Sequence, residues 1–230
     1  MSALATASPL TRAVRFYEAT NGKKVVMALT GVVLFGYVLA HLLGNLQIYM
    51  GPAQINAYAE FLHSKPGALW AARTELLICV VWHIVAATQL WALNRAARPV
   101  SYAKKANVPS SYAARTMKWS GPIIAAFVVF HILHLTTGDV LPAEYQELQV
   151  YHNVTMGFSH LPVSIAYIVC MILLCMHLYH GLWSMFQSVG ISHPRYTPWL
   201  KRFAKVFAIF ICVGNISIPI SVMLGILPVR

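Results

Sequence analysis

Long apolar stretches alternate with short polar connections along the whole chain. Five stretches contain no Asp, Glu, Lys or Arg, and each can hold the roughly 20 residues with which a helix crosses ~30 Å of hydrocarbon. They cover residues 25–59, 76–94, 119–138, 148–194 and 206–229. The pattern predicts membrane-spanning helices at residues 24–49, 70–95, 119–138, 161–189 and 203–227.

The composition excludes an ordinary soluble domain. Hydrophobic residues make up 58% of the 230 positions and charged residues 10%, against about 25% charged residues in soluble domains. We therefore expect an all-α integral membrane protein in a lipid bilayer, with residues 1–230 forming one bundle of five helices. The first twenty residues lack the apolar core of a signal peptide, so the first span is expected to direct insertion.

The positive charges predict the orientation of the bundle. The chain has seventeen Lys and Arg residues against six Asp and Glu residues, an excess that would also suit nucleic acid or anionic lipid. Fourteen of the seventeen fall in the N-terminal segment and in the second and fourth connections, whereas the third connection carries acidic charges alone. Since short cytoplasmic loops are rich in Lys and Arg, we expect the N-terminus inside, the C-terminus outside and no nucleic-acid partner. Segments 56–64 and 145–160 are expected to cap the outer face.

Histidines within the predicted spans are the candidate functional residues. Ionisable side chains in a membrane are rare and usually functional. Each of the first four spans holds at least one histidine and the fifth holds none. Side chains on facing helices of a bundle can hold a cofactor, and neutral imidazole is a ligand of haem iron. The six candidates are His41, His83, His131, His134, His177 and His180.

The heights of four of these histidines predict two pairs. A helix rises ~1.5 Å per residue, so His41 and His131 lie roughly 20 to 26 Å above the inner membrane boundary. His83 lies about 18 Å above that boundary on a descending helix, and His177 falls in the inner half of another descending helix. An outer pair and an inner pair are the arrangement of two stacked haems, each with two histidine ligands.

Two other interpretations of the histidines remain open on the sequence alone. Each imidazole can hydrogen-bond a neighbouring helix, or His131 with His134 and His177 with His180 can bind a metal, because residues i and i+3 share a helix face. The spacing also does not decide which member of each H-x-x-H is a haem ligand, and depth alone slightly favours His134 over His131.

Five motifs, in order and on the predicted helices, carry a family resemblance. They are GKKVVMALTG at 22–31, AHLLGNLQIY at 40–49, NRAARP at 94–99, FHILHLTTG at 130–138 and HLYHGLWSMFQSVG at 177–190. The chain closely resembles, over nearly its whole length, the single-chain dihaem cytochrome b anchor of succinate dehydrogenases and fumarate reductases.

The resemblance implies cofactors, ligands and partners. It implies two b-type haems, the inner one bound by His83 and His177 and the outer one by His41 and His131. His134 and His180 would lie beside these sites and would contact the haem propionates or handle protons. It also implies a flavoprotein with covalent FAD and an iron-sulfur protein on the cytoplasmic side of the inner (cytoplasmic) membrane. The chain would then carry electrons between the iron-sulfur protein and membrane menaquinone or ubiquinone, in either direction, in the respiratory chain and the tricarboxylic acid cycle. The oxidation of succinate itself would take place in the partners.

A quinone site needs a group that exchanges protons near the membrane boundary. Glu75 is the one carboxylate expected inside a span, about 12 Å from His83 toward the outside by helical rise. An ion pair with Arg73, or solvation at the mouth of the helix, is an alternative role. His63 and Tyr58 are expected to reach the same region. We therefore expect an outer quinone site that uses these side chains.

Two rival functions share parts of this pattern. A cytochrome b anchor of a hydrogenase or formate dehydrogenase would also hold haem, but with other protein partners. A proton-coupled transporter would use the membrane histidines as a proton relay and would hold no haem.

Overall fold

The computed structural model describes residues 8–97, 112–141 and 143–229, and all regular structure in these ranges is helical. One 3₁₀ helix, Leu46–Met50, extends the second α-helix. The α-helices are α1 (Pro9–Glu18), α2 (Thr20–Asn45), α3 (Pro52–His63), α4 (Pro66–Ala96), α5 (Tyr112–Leu135), α6 (Val150–Ser159), α7 (Leu161–Ser188) and α8 (Thr197–Met223).

Five helices are long and apolar enough to cross a membrane, which confirms the predicted number of spans. They are Thr20–Met50, Pro66–Ala96, Tyr112–Leu135, Leu161–Ser188 and Thr197–Met223. In their most apolar windows only 6% to 39% of the residues are buried within the protein. Most apolar side chains therefore face outward, as lipid-facing side chains do, and the chain is a multi-pass membrane protein.

The observed helix ends differ from the predicted ends at positions where a proline or a glycine favours the start or the end of a helix. The fifth span begins six residues earlier than predicted, at Thr197, because a proline in its first turn favours helical backbone there. It ends at Met223, and Gly225 follows with a φ of +72°. The third span ends at Leu135, and Gly138 has a φ of +78°. Glycine adopts this left-handed conformation at little cost, so it stops both helices.

Helix α7 lies at the centre of the bundle. It packs against α8, α5 and α2, and α2 packs in turn against α4. One buried cluster includes Leu42, Leu182 and Ile211 of three spanning helices. The other joins Tyr167 and Ile218 to the short helices α3 and α6. The bundle thus places the histidines of four helices around one interior.

Helices α3 and α6 form the cap that the sequence predicted for one end of the bundle. The Asn56 amide joins them, since its Nδ2 donates to the Gln149 side chain at 2.7 Å and its Oδ1 accepts from the Tyr151 amide at 3.0 Å. Six of the ten residues of α6 are buried. This helix therefore belongs to the core, which the sequence alone did not indicate.

Helix α1 was not predicted. Ser8 caps its N-terminus by accepting a hydrogen bond from the Thr11 amide at 3.2 Å. The extended backbone of Ala19 separates α1 from α2. None of its residues is buried, and Leu10 and Phe16 are exposed.

Some of the charges used to predict orientation lie outside the described residues. These are Arg98, Lys104, Lys105 and Arg230. Among the described charges of the predicted inner side, Lys23 and Lys24 lie near the start of α2 and Arg95 lies in the last turn of α4, and these two helices pack against each other.

Candidate functional site

The structure brings His41 of α2 and His131 of α5 together. Their ring centroids are 5.7 Å apart and the ring planes are nearly perpendicular, at 87°. An imidazole nitrogen binds a metal at about 2 Å, so two imidazoles on opposite sides of one metal have centroids about 6 Å apart. The spacing of the two rings is that of two histidines that would hold one metal between them, whatever the angle between their planes.

A second pair joins His83 of α4 to His177 of α7. Their ring centroids are 6.4 Å apart with an interplanar angle of 57°. In the described part of the chain, α2 does not pack closely against α5, and α4 does not pack closely against α7. The pairing is therefore made by the side chains, and it joins the same residues that the predicted depths placed at similar levels.

Hydroxyl groups engage the Nδ1 atom in three of the four rings. The Thr30 hydroxyl lies 3.2 Å from His83 Nδ1, and Ser120 Oγ lies 3.5 Å from His177 Nδ1. Tyr167 Oη lies 3.3 Å from His131 Nδ1. Each of these rings retains Nε2 for a bond to a metal, and a partner on the other nitrogen is the usual companion of a ligating histidine.

The surroundings of Thr30 favour one tautomer of His83. The Thr30 hydroxyl has a single hydrogen, and Val26 O at 2.8 Å and Met27 O at 3.2 Å are acceptors for it in the same helix. A hydroxyl that donates to a carbonyl can also accept a hydrogen bond, and His83 Nδ1 lies 3.2 Å away. In the tautomer that donates to Thr30, the hydrogen resides on Nδ1 and the Nε2 lone pair is available to a metal.

Tertiary packing separates the two members of each H-x-x-H. His134 is 3% exposed and its Nδ1 lies 2.9 Å from Tyr167 Oη. His180 stands edge-on to Trp183 at 5.8 Å, and its Nδ1 is buried without a hydrogen-bond partner. The first histidine of each motif is therefore paired with a histidine of another helix, whereas the second histidine is not.

The donor set fits haem better than a bare metal ion. No group of three or more His, Cys, Asp or Glu side chains suited to a metal ion occurs in the described part of the chain. Each pair offers two imidazoles, whereas zinc sites use three or four protein ligands. A metal held by two axial histidines must bring its other ligands with it, as iron in a porphyrin does. This geometry disfavours the alternative in which neighbouring histidines of one helix bind an ion.

The residues expected at a quinone site are brought to the capped end of the bundle but not into one cluster. Tyr58 packs on α2 beside Gly44, three residues beyond His41, and a Cβ on that glycine would lie 2.9 Å from Tyr58 Cε1. His63 is exposed, with Nδ1 2.9 Å from the Ala59 carbonyl oxygen. Glu75 is exposed on α4.

Arg73 and Glu75, both within the described residues, form no ion pair. Arg73 lies instead over the Trp70 ring, 5.1 Å from its centroid. The alternative role of Glu75 as an ordinary ion-pair partner of Arg73 therefore has no support in the geometry.

A mainly apolar cavity of about 260 Å³ lies between the end of α3 and the start of α4. It is lined by Phe61, Leu62, Lys65, Ala68, Leu69 and Ala72. Ala68, Ala72 and Glu75 have the spacing i, i+4 and i+7, so they share one face of α4. Glu75 thus continues the lining face one turn further into the span.

The hydroxyls that contact the histidines were not singled out from the sequence. Thr30, Ser120 and Tyr167 lie in predicted or observed spanning helices. A polar side chain in such a helix is the one feature of the sequence that could have pointed to them. Gly157 was also missed. A Cβ there would lie 2.5 Å from His134 Nε2 and 2.6 Å from His134 Cε1, so glycine permits the close approach of α6 to that ring.

Gly157→Ala is expected to destabilise the protein by about 1–3 kcal/mol, the usual cost of forcing extra volume into a packed core. The His134 ring cannot retreat freely because it is buried and held by Tyr167. Thermal unfolding in detergent should show a lower Tm. Gly67→Ala is the matched control, since Gly67 is exposed on α4 with nothing within 4 Å of its added Cβ. Equal melting temperatures for Gly157→Ala and the parent would contradict the tight contact.

No family model, curated protein or solved structure matches this chain.

Proposed function

We propose that the chain is the membrane anchor and dihaem cytochrome b subunit of a succinate:quinone oxidoreductase. The observation that carries the proposal is the pairing of His41 with His131 and of His83 with His177 at 5.7 and 6.4 Å. Four helices each contribute one imidazole, and the pairs are those that the resemblance to the dihaem anchors implies. One-electron transfer between an iron-sulfur partner and membrane quinone is the chemistry that two bound haems would supply.

The residues of the chain would hold and tune these groups. His83 and His177 would bind the inner haem, and His41 and His131 the outer one, through Nε2. The hydroxyls of Thr30, Ser120 and Tyr167 would orient the rings by accepting from Nδ1, which raises the basicity of the ligating nitrogen. The apolar helices would exclude water and keep both irons in a medium of low dielectric, a further control on redox potential.

The aromatic residues near one end of the bundle support the proposed orientation. Trp91, Trp119, Trp183 and Trp199 each lie under a cation, with Arg95, Lys118, Lys201 and Arg202 at 4.6 to 5.7 Å from the ring centroids. Tryptophan favours the membrane boundary, and Lys and Arg favour its cytoplasmic side. This end would face the cytoplasm, carry the N-terminus, and meet the iron-sulfur and flavoprotein partners.

The cavity between α3 and α4 is the proposed quinone site. Its apolar lining suits a ring that enters from lipid, and Lys65 at its edge is a hydrogen-bond donor for a quinone carbonyl. Glu75, on the same face of α4, would exchange protons with the reduced ring. Tyr58 and His63 extend from the neighbouring α3, so the site would lie beside the outer histidine pair.

Purification of the tagged chain in mild detergent tests the proposal. We expect a reduced-minus-oxidised spectrum of b-type haem, two haems per chain, and copurification of a flavoprotein and an iron-sulfur protein with succinate dehydrogenase activity. A colourless chain from cells supplied with a porphyrin precursor would overturn it and favour a proton-coupled transporter. Haem with hydrogenase or formate dehydrogenase subunits would assign the chain to another oxidoreductase.

A further inference from the structure

We propose that Tyr167 and His134 form a hydrogen-bond chain that lowers the redox potential of the outer haem through its ligand His131. The proposal rests on the proposed function, because it concerns a haem held by His41 and His131. It adds two positioning residues that act on the iron through a ligand rather than by touching the haem.

The chain of hydrogen bonds is short and lies within the protein core. Tyr167 Oη stands between two imidazoles, 3.3 Å from His131 Nδ1 and 2.9 Å from His134 Nδ1. Tyr167 is 5% exposed and His134 is 3% exposed. Both histidines belong to α5 and the tyrosine belongs to α7, so the contact depends on the packing of these two helices.

Once His131 binds iron, the hydrogens available on the two imidazoles and the phenol determine the direction of both hydrogen bonds. A neutral imidazole that ligates through Nε2 carries its hydrogen on Nδ1, so His131 must donate to Tyr167 Oη. The phenol has one hydrogen, and the neighbouring acceptor is His134 Nδ1. His134 therefore carries its own hydrogen on Nε2. No other assignment satisfies all three groups.

This direction predicts the sign of the effect on the iron. A phenol that donates to His134 is a stronger acceptor for the hydrogen of His131, because linked hydrogen bonds polarise one another. Stronger acceptance at Nδ1 makes Nε2 more basic, and a more basic ligand stabilises ferric over ferrous iron. The hydrogen-bond chain therefore lowers the potential of the outer haem.

The inner pair lacks an equivalent chain among the residues that the structure describes. Its Nδ1 atoms meet two aliphatic hydroxyls, Thr30 at 3.2 Å and Ser120 at 3.5 Å. Thr30 donates to the carbonyls of its own helix rather than to a second imidazole. The two haem environments would thus differ in the hydrogen bonding of their ligands, and α6 maintains the difference by holding His134 in place through Gly157.

Redox titration of Tyr167→Phe in the purified complex tests the hydrogen-bond chain. We expect both haems to remain bound and the midpoint potential of the outer haem to rise, while that of the inner haem stays at the parent value. The outer haem is identified as the one missing from His41→Ala. Tyr151→Phe is the matched control, since Tyr151 belongs to the same buried cluster and its hydrogen bond to Asn56 is made by the backbone amide, which the variant retains. An unchanged outer potential in Tyr167→Phe would overturn the inference.

Variants of His134 keep the test decisive if Tyr167→Phe loses its haem. His134→Leu removes the acceptor for the phenol and should raise the outer potential. His134→Gln retains an acceptor oxygen and should give a potential near that of the parent. Equal potentials in His134→Leu and the parent would overturn the hydrogen-bond chain. A parent without haem would instead refute the proposed function, so the two failures are distinguishable.

Helix α1 is amphipathic and contacts the spanning helix α4 through one face. Leu10, Val14 and Tyr17 have the spacing i, i+4 and i+7, so they share one helix face, whereas Arg12 and Arg15 lie on the other side. The Tyr17 hydroxyl donates to Gln89 Oε1 at 2.9 Å, and its ring packs edge-on to Trp82 at 5.7 Å. Both partners belong to the spanning helix α4. The face that carries Leu10 and Val14 is therefore the face that α1 turns toward the spanning helix α4 at Tyr17.

We infer that α1 lies on the surface of a bilayer with anionic headgroups. Leu10 is 75% exposed and Val14 is 49% exposed, so their apolar surface is available to acyl chains. Arg12 and Arg15 would face the phosphates. The single residue between α1 and α2 keeps the helix at the level where the first span begins.

Cysteine labelling in vesicles of mixed neutral and anionic phospholipid tests this placement. Leu10→Cys should react at least about tenfold more slowly with a charged maleimide than Arg12→Cys in the same helix, because acyl chains exclude a charged reagent. The parent chain gives the background, since Cys79, Cys170, Cys175 and Cys212 all lie in spanning helices. Equal rates for the two variants would refute the placement, as would protection of Leu10→Cys only when soluble partner subunits are added.

Discussion

His41→Ala is expected to remove one of two haems and leave the other with its normal spectrum. Alanine offers no ligand, and His131 alone would leave the outer iron with one protein bond. His131→Ala should remove the same haem as His41→Ala, whereas His83→Ala and His177→Ala should both remove the other. The measurement is the haem-to-protein ratio, combined with redox titration to identify the haem that remains.

The pairing predicts not only which histidines bind haem but also which two variants lose the same haem. If His41→Ala and His131→Ala lost different haems, the pairing at 5.7 Å would not be a ligand pairing. His193→Ala is the control, because His193 is exposed and stacks on Tyr196 in the connection before α8. It should keep both haems. His134→Gln should also keep both, since that ring bonds Tyr167 and is not paired across the bundle.

Glu75→Gln is expected to abolish quinone turnover while both haems stay bound. The amide cannot exchange a proton with the reduced ring, although it preserves the size and polarity of the side chain. Succinate oxidation with a soluble acceptor that takes electrons from the partner subunits should continue at the parent rate. The measurement compares reduction of a quinone with reduction of the soluble acceptor in the purified complex.

Glu147→Gln controls for the loss of one negative charge at the predicted outer side. Glu147 is exposed in the connection between α5 and α6, away from the cavity residues, and its variant should turn over quinone normally. Normal turnover in Glu75→Gln would remove this carboxylate from the mechanism. The cavity would then remain testable by Ala72→Trp, which should fill it and weaken quinone binding.

Much of the fold was predictable because membrane insertion depends on local composition. A helix in lipid must satisfy its own backbone hydrogen bonds and present apolar side chains for ~30 Å, and a stretch of sequence either can or cannot do so. The five spans followed from that rule. Helix α1 did not, because its short amphipathic pattern contains too few apolar residues to resemble a span.

The sequence predicted the height of the candidate histidines in the membrane but not which side chains contact one another. Counting residues along each helix placed His41 near the level of His131, and His83 near that of His177. The same count could not choose between His131 and His134, because i and i+3 lie on one face and differ by less than one turn. It also gave no reason to connect Tyr167 to either of them, since a partner on another helix leaves no mark in local spacing.

By itself, the sequence determined that this chain crosses a membrane with five helices and that four of those helices carry histidines at two levels. Both properties depend on composition and on rise per residue within a single helix. Only the tertiary structure decided which histidines meet, which hydroxyls hold their second nitrogen, and that α6 is buried against His134. Those properties depend on how each helix is rotated about its axis and against which neighbour it packs, and that rotation is set by the interlocking of side chains from several helices at once.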